Sequence, residues 1–306
     1  MSGSRRFIRA LCGVGIAVQL LSLAGCSSPE PLEIPAAYGV SEDPSVGYLH
    51  FSVDDCNTLF RDLTENADRY DSIFDQPTLG FVRELHDQFG IRISFYVYYC
   101  PNRETVEFDL SDATDRFSAE FAENADWLRF GYHAPDSEAY QSTDAEEQLE
   151  YYRMTVRELI RITGSAECID NFVRLDRYLA DADTVRALSF AEEGITGLFI
   201  ADRSNPDRHS YALSQAAQET CYAEDWWVEE GVCYTPTDVR LEDIADDDAF
   251  YRLLKDMEEQ PRLIVFTHEW AMEQESVKRY MRWFAEYAHT YGIPSAFPEN
   301  ENDKPA

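Results

Sequence analysis

A chain of 306 residues with 44% hydrophobic side chains can bury one large α/β core or two small ones, and its 58 Asp and Glu against 26 Lys and Arg leave a formal charge of −32. That charge repels phosphate backbones and anionic head groups, which argues against nucleic-acid binding and against electrostatic adhesion to membranes. The acids are spread along the chain and form no single tail, a pattern that points to the surrounding solvent more than to any partner.

Arg5, Arg6 and Arg9 precede a mostly apolar stretch over 10–23 that closes on Leu23-Ala24-Gly25-Cys26. A basic start, a short apolar run and small residues before a cleavage point read as a secretory signal over 1–25, too short for an ordinary membrane span. The Leu-Ala-Gly-Cys run resembles the bacterial lipobox, which implies that Cys26 is lipidated and anchors an extracytoplasmic protein to a bacterial cell membrane. Residues 26–46 carry Pro29, Pro31, Pro35 and Pro44 with no apolar period, and read as a flexible tether. Residues 47–298 read as the folded domain and 299–306 as a disordered polar tail.

Within the domain, strand patterns fall at 48–53, 91–99, 127–132, 171–174, 197–201, 263–267 and 294–297. Helical spacing falls at 79–89, 144–162, 183–193, 241–257 and 273–291. Strand and helix alternating through about 250 residues imply a parallel sheet, open or closed into a barrel. The stretch 204–237 lacks a clean helical period and reads as an insertion over one face. After export five cysteines remain, Cys56, Cys100, Cys168, Cys221 and Cys233. Cys221 and Cys233 bracket a hairpin that a disulfide would close; Cys56 and Cys100 sit past two strand ends and are a second candidate pair, leaving Cys168 over. None has the spacing of a zinc site.

The most informative segment is Leu49-His50-Phe51-Ser52-Val53-Asp54-Asp55, an apolar strand ending in two adjacent carboxylates. A packed strand fixes such a pair where chemistry needs it. Four further segments follow in order: Leu85 to Val97, Phe130-Gly131-Tyr132-His133, Phe172-Val173-Arg174-Leu175-Asp176-Arg177-Tyr178, and Phe266-Thr267-His268. Together they resemble the motifs of the polysaccharide deacetylases, the carbohydrate esterase family of nodulation chitooligosaccharide deacetylases. The resemblance implies a distorted (β/α) barrel of about seven parallel strands, with a divalent metal, most often zinc, at the strand ends. It implies Asp54 as general base, Asp55 and His133 as metal ligands, Arg174 as the orienter of the base, and His268 as general acid. A metal-dependent hydrolase removing an acetyl or other acyl group from a glycan is the function so implied.

The chain departs from that family at the second metal histidine, where Ser137 stands. Asp136, three residues after His133, would share its face if 133–137 were helical, and is the expected third ligand; Glu138 is a less well placed substitute. Tyr178, Asp202 at the end of a strand, and Trp270 are the expected substrate-binding residues. His50 reads as structural, His86 and His289 as surface residues, and Asp238 with Arg240 as the start of the helix that follows. Two other functions fit the same residues: a glycan-binding protein that has lost catalysis with the second histidine, or a metal-free glycosidase pairing Asp54 with Asp202 or Glu269.

Overall fold

The computed structural model describes residues 30–102, 104, 107–137, 144–202 and 210–298. Four wholly or largely buried strands form the centre of the first sheet: β1 (Leu49–Cys56), β2 (Ile93–Tyr98), β3 (Leu128–Ala134) and, late in the chain, β9 (Leu263–His268). The second sheet holds β4 (Phe172–Val173), β5 (Gly197–Asp202), β6 (Trp227–Glu229) and β7 (Val232–Thr237), and β8 (Val239–Arg240) returns to the first. All pairings are parallel except the β6–β7 hairpin.

The two sheets close on one another at two joints. β7 runs through Asp238 into β8, so one continuous stretch pairs with β5 on one side and β9 on the other. At the opposite seam, Phe130 of β3 forms a parallel bridge with Ile169, just before β4, and the Asp170 N–H donates to the Phe130 carbonyl at 2.8 Å. The result is a ring of seven parallel strand positions, β1, β2, β3, β4, β5, β7 with β8, and β9, as expected of a distorted (β/α) barrel.

Alternate residues of each strand enter the ring, and many are polar. From β1 come His50, Ser52 and Asp54; from β2, Ser94, Tyr96 and Tyr98. Each finds a partner inside: Tyr96 donates to the Phe172 carbonyl at 2.8 Å, and Ser94 to the buried Asp170. The other face of the strands carries apolar rings such as Phe95 and Phe130, which pack against Phe60 of the first helix and Phe121 of the third.

Among the described residues eight α-helices surround the ring: α1 (Thr58–Glu65), α2 (Pro77–Phe89), α3 (Ser118–Glu123), α4 (Ala145–Thr163), α5 (Ala182–Ser189), α6 (Gln215–Glu224), α7 (Asp247–Asp256) and α8 (Glu275–Thr290). Acids cap several starts, with Asp144, Asp181 and Asp246 each accepting a backbone N–H of the first turn.

Several expectations are corrected. Residues 31–46 do not hang free: the Leu32 N–H donates to Glu286, the Ser41 and Ser45 N–H groups both reach Glu258, and Tyr38 packs on Tyr251. The expected insertion contains α6 and the barrel strand β7, whose apolar register the sequence pattern hid. The 241–257 helix begins only at Asp247, after a short 3-10 turn. Residues 294–297 plug the lower end of the ring, with the Leu49 N–H on Pro294 and Phe297 beneath Arg129. His86 stacks on Trp127 and is partly buried, and Asp238 accepts the Ile264 N–H at 2.8 Å instead of capping a helix. The five described cysteines are buried thiols, so neither disulfide is formed; the Cys221 thiol donates to the Tyr234 carbonyl. The signal segment, Cys26, Glu138 and the tail from 299 lie outside the described residues.

Gly131 marks the β3–β4 seam. A Cβ there would stand 2.8 Å from Val173 Cγ1 and 2.9 Å from the Asp170 carbonyl. Gly131→Ala is therefore expected to lower the free energy of unfolding by roughly 1–3 kcal/mol, seen as a lower urea midpoint at unchanged slope. An unchanged midpoint would show that the strands do not approach this closely.

Candidate metal centre

The strand ends place the site. β1 and β9 run in register, so Asp54 lies beside His268. One residue on, the β1–β2 pairing slips between Val53 and Cys56, and Asp55 takes a left-handed φ of 62°. The bulge turns two successive carboxylates toward one cleft, where a regular strand would send them to opposite faces. After β4, Arg177 and Tyr178 are also left-handed, with φ of 54° and 59°, and this kink brings Asp176 back over the strand ends. Such backbone is costly for non-glycine residues and persists where packing enforces it.

The cleft, of about 320 Å³, is lined by Asp54, Asp55, Tyr98, His133, Arg174, Asp176, Tyr178, Arg240 and His268, among others. His133 is its pivot. The imidazole donates through Nδ1 to the Arg174 carbonyl at 2.5 Å, which leaves Nε2 facing Asp55 Oδ1 at 3.2 Å and Asp176 Oδ1 at 4.0 Å. Ligand atoms of Asp55, His133 and Asp176 all lie within 4.8 Å of one another. A backbone carbonyl behind the second ring nitrogen is the support metal-binding histidines have, and Asp176 Oδ2 is buried without a hydrogen bond. One imidazole and two carboxylates suit zinc and the neighbouring divalent ions, so the residues fit a metal.

Charge fits as well. Burial alone would lower the His133 pKa, but the hydrogen bond to Asp55 and the charges of Asp54, Asp55 and Asp176 push it up to about 9. Burial works against the Asp55 charge, yet His133, His268 and the Tyr98 hydroxyl, 2.7 Å away, hold its carboxyl well below the usual range. Burial raises Asp176. The negative charge of Asp54, Asp55 and Asp176 that raises His133 is charge a bound cation would also draw on.

Around this cluster stand two pairs. Arg174, 2% exposed, donates to Asp54 Oδ1 and Ser52 Oγ, both at 2.9 Å, and to Thr237, while its guanidinium lies on Phe266 and Phe199. His268 donates through Nδ1 to Glu242, whose other oxygen accepts the Thr267 hydroxyl; burial would raise Glu242, but the His268 bond lowers it. Nε2 of His268 then faces Asp55 Oδ2 at 4.0 Å.

Of the expected residues, Asp54, Asp55, His133, Arg174, Tyr178 and His268 meet in one cleft. Asp136 does not. β3 continues through Ala134 and bends at Pro135, so 133–136 are not helical and the i+3 argument fails; Asp136 is buried outside the cleft lining. Asp202 sits at the end of β5, beside Tyr178 but also outside the lining. Trp270 stacks on His268 and borders an adjoining groove. Glu269, the alternative glycosidase acid, caps α1 by accepting the N–H groups of Asn57, Thr58 and Leu59. Asp176 and Glu242 were missed, and Arg240, read as the start of a helix, lines the cleft.

No known family profile matches the chain, and no curated protein does. Solved structures with similar folds include the Xyl-CE4 domain of a multidomain xylanase from the hindgut metagenome of Trinervitermes trinervoides (8% identity over 83% of this chain and 87% of that one, TM-score 0.42). PuuE allantoinase (12%, 90% and 97%, 0.48) and a peptidoglycan N-acetylglucosamine deacetylase (12%, 82% and 86%, 0.42) are also similar.

Purified protein is expected to hold one divalent ion per chain by elemental analysis, lost in Asp176→Ala and kept in Asp136→Ala; the reverse pattern would remove Asp176 from the site. Because His133 must shed its proton to offer Nε2, metal affinity should rise with pH and level off near pH 9, falling about tenfold per unit below that. Calorimetry in two buffers checks this through the release of about one proton per ion at pH 7.

Proposed function

We propose that the chain is a metal-dependent hydrolase that removes an acyl group from a glycan outside the cytoplasm, with zinc as the cation. The observation that carries this reading is the single cleft in which the Asp55–His133–Asp176 cluster lies between a clamped carboxylate, Asp54, and a carboxylate-backed imidazole, His268. Asp55, His133 and Asp176 would hold the divalent ion, which would supply Lewis acidity at the carbonyl under attack.

The chain's own residues do the rest. Arg174 donates to Asp54 and fixes its direction, so that the carboxylate accepts the proton of the attacking water. His268, its Nδ1 tied to Glu242, presents Nε2 to the leaving amine or alcohol and delivers a proton to it; Glu242 stabilises the imidazolium. Tyr98 orients Asp55 and keeps its second oxygen toward the cleft. The reading as an inactive glycan binder rested on the missing histidine, and Asp176 fills that place. The glycosidase reading needed Asp202 or Glu269 opposite Asp54; the first is outside the cleft lining and the second caps a helix.

The signal segment and Cys26 support lipid anchoring, and no described helix is long and apolar enough to cross a membrane. Cys26→Ser is expected to move the protein from the membrane fraction to the soluble one; unchanged partition would reject the anchor.

His268→Gln is expected to slow hydrolysis of an N-acetylated glycan by about 10²–10⁴-fold, with a far smaller effect on an aryl acetate whose leaving group needs no proton. Asp54→Asn should slow both by a similar factor while retaining metal. Equal losses on amide and aryl ester for His268→Gln would contradict its role as general acid.

A further inference from the structure

Arg240 lines the metal cleft but takes no part in holding the metal or in moving a proton. It stands on β8 in register with Phe266 of β9, two residues before His268, and its guanidinium lies over the Phe266 ring with Cζ 5.1 Å from the centroid. Arg174 lies over the same ring at 4.2 Å. Two guanidinium groups therefore share one aromatic ring, and they are not equally neutralised. Arg174 has Asp54 at 2.9 Å. Arg240 Nε is buried without a hydrogen-bond partner, and its ion pair with the exposed Asp243 is loose at 3.8 Å. A buried N–H without an acceptor is costly, and in a cleft open to ligands it points to an acceptor that arrives with one. The third arginine of the lining, Arg177, is already engaged: it donates to the Ser137 carbonyl at 3.0 Å and stands 3.6 Å from Asp176.

We propose that Arg240 is a specificity residue that takes a carboxylate carried by the substrate. The inference rests on the glycan deacylase reading and narrows it to anionic substrates. The planar fork of a guanidinium matches a carboxylate through two parallel N–H···O bonds, and packing on Phe266 fixes the plane of that fork. A monoanion suits the one loosely paired arginine; a phosphate dianion would set a second charge facing Asp54, Asp55 and Asp176. The chain's charge of −32 does not oppose this, because charges beyond about 8 Å are largely screened at physiological salt and Arg240 acts at contact. Two carriers present the same group to the fork: the sugar, as a uronate, and the acyl group, as a succinyl amide.

The test compares one neutral and two anionic amides. With the full chain, kcat and KM are measured separately for release of the free amine from N-acetylglucosamine, N-acetylglucosaminuronate and N-succinylglucosamine. One of the two carboxylates is expected to have a KM at least about tenfold below that of N-acetylglucosamine, the scale of one charge-assisted hydrogen bond, and which one it is identifies the carrier. Arg240→Gln should bring the KM ratio close to one, whereas Arg240→Lys, which keeps the charge and loses the fork, should recover part of it. A side chain that only packs on Phe266 would shift all three substrates together and leave the ratio unchanged. Equal KM values for the three amides, or an advantage that survives Arg240→Gln, overturns the role of Arg240 and leaves the deacylase reading standing. Hydrolysis of none of them contradicts the deacylase reading, and the affinities of the same three sugars by calorimetry then decide on Arg240 through the same ratio.

Discussion

One buried residue joins the two halves of the site. The Arg174 guanidinium, enclosed by Phe266, Phe199 and the ring of strands, is charged in a place where an unpaired charge would cost several kcal/mol, and Asp54 is its counterion. The same residue's carbonyl takes the His133 Nδ1 proton and so aims Nε2 at the acid cluster. Side chain and backbone of Arg174 therefore set the direction of the Asp54 carboxylate and of the His133 imidazole at once. The barrel has to close for this to happen, since Arg174 follows β4, Asp54 ends β1 and His133 lies near the end of β3.

Asp176 completes a group of three side chains that could hold a metal ion. Where the motif of the polysaccharide deacetylases that the segments resemble has a second histidine, this chain has Ser137, and the third group that could hold a metal beside Asp55 and His133 is Asp176, from the kink after β4. Exchanging an imidazole for a carboxylate adds negative charge to a cluster already holding Asp54 and Asp55. Against burial, the hydrogen bond to Asp55 and the charges of Asp54 and Asp55 raise the His133 pKa, and Asp176 adds to them. A cation would relieve the same repulsion, so the acidity favours binding while making it more dependent on pH.

The parts of this arrangement that were legible in the sequence are those encoded locally. β1, β2, β3 and β9 announce themselves as apolar runs because they are buried on both faces, and the residues at their ends, Asp54, Asp55, His133 and His268, follow from the strands. Arg174 was found through its order among the motifs. What was missed depends on backbone that spacing does not encode. Asp176 reaches the cleft only because Arg177 and Tyr178 turn left-handed, and Asp136 was favoured by a helical periodicity that the chain after β3 does not have. Glu242 meets His268 across 26 residues, through a short turn that hides inside a helical pattern. The proline-rich segment after Glu30 looked like a tether because docking onto α7 and α8 leaves no local signature. The cysteine spacing suggested a disulfide where the β6–β7 hairpin is instead closed by backbone pairing.

The central claim is that Asp55, His133 and Asp176 together form a metal site. Its most direct test is an anomalous difference map from crystals grown with zinc. A single peak about 2.0–2.2 Å from His133 Nε2 and from one oxygen each of Asp55 and Asp176 is the expected result. A peak coordinated through Asp136, or none in this cleft, would contradict it.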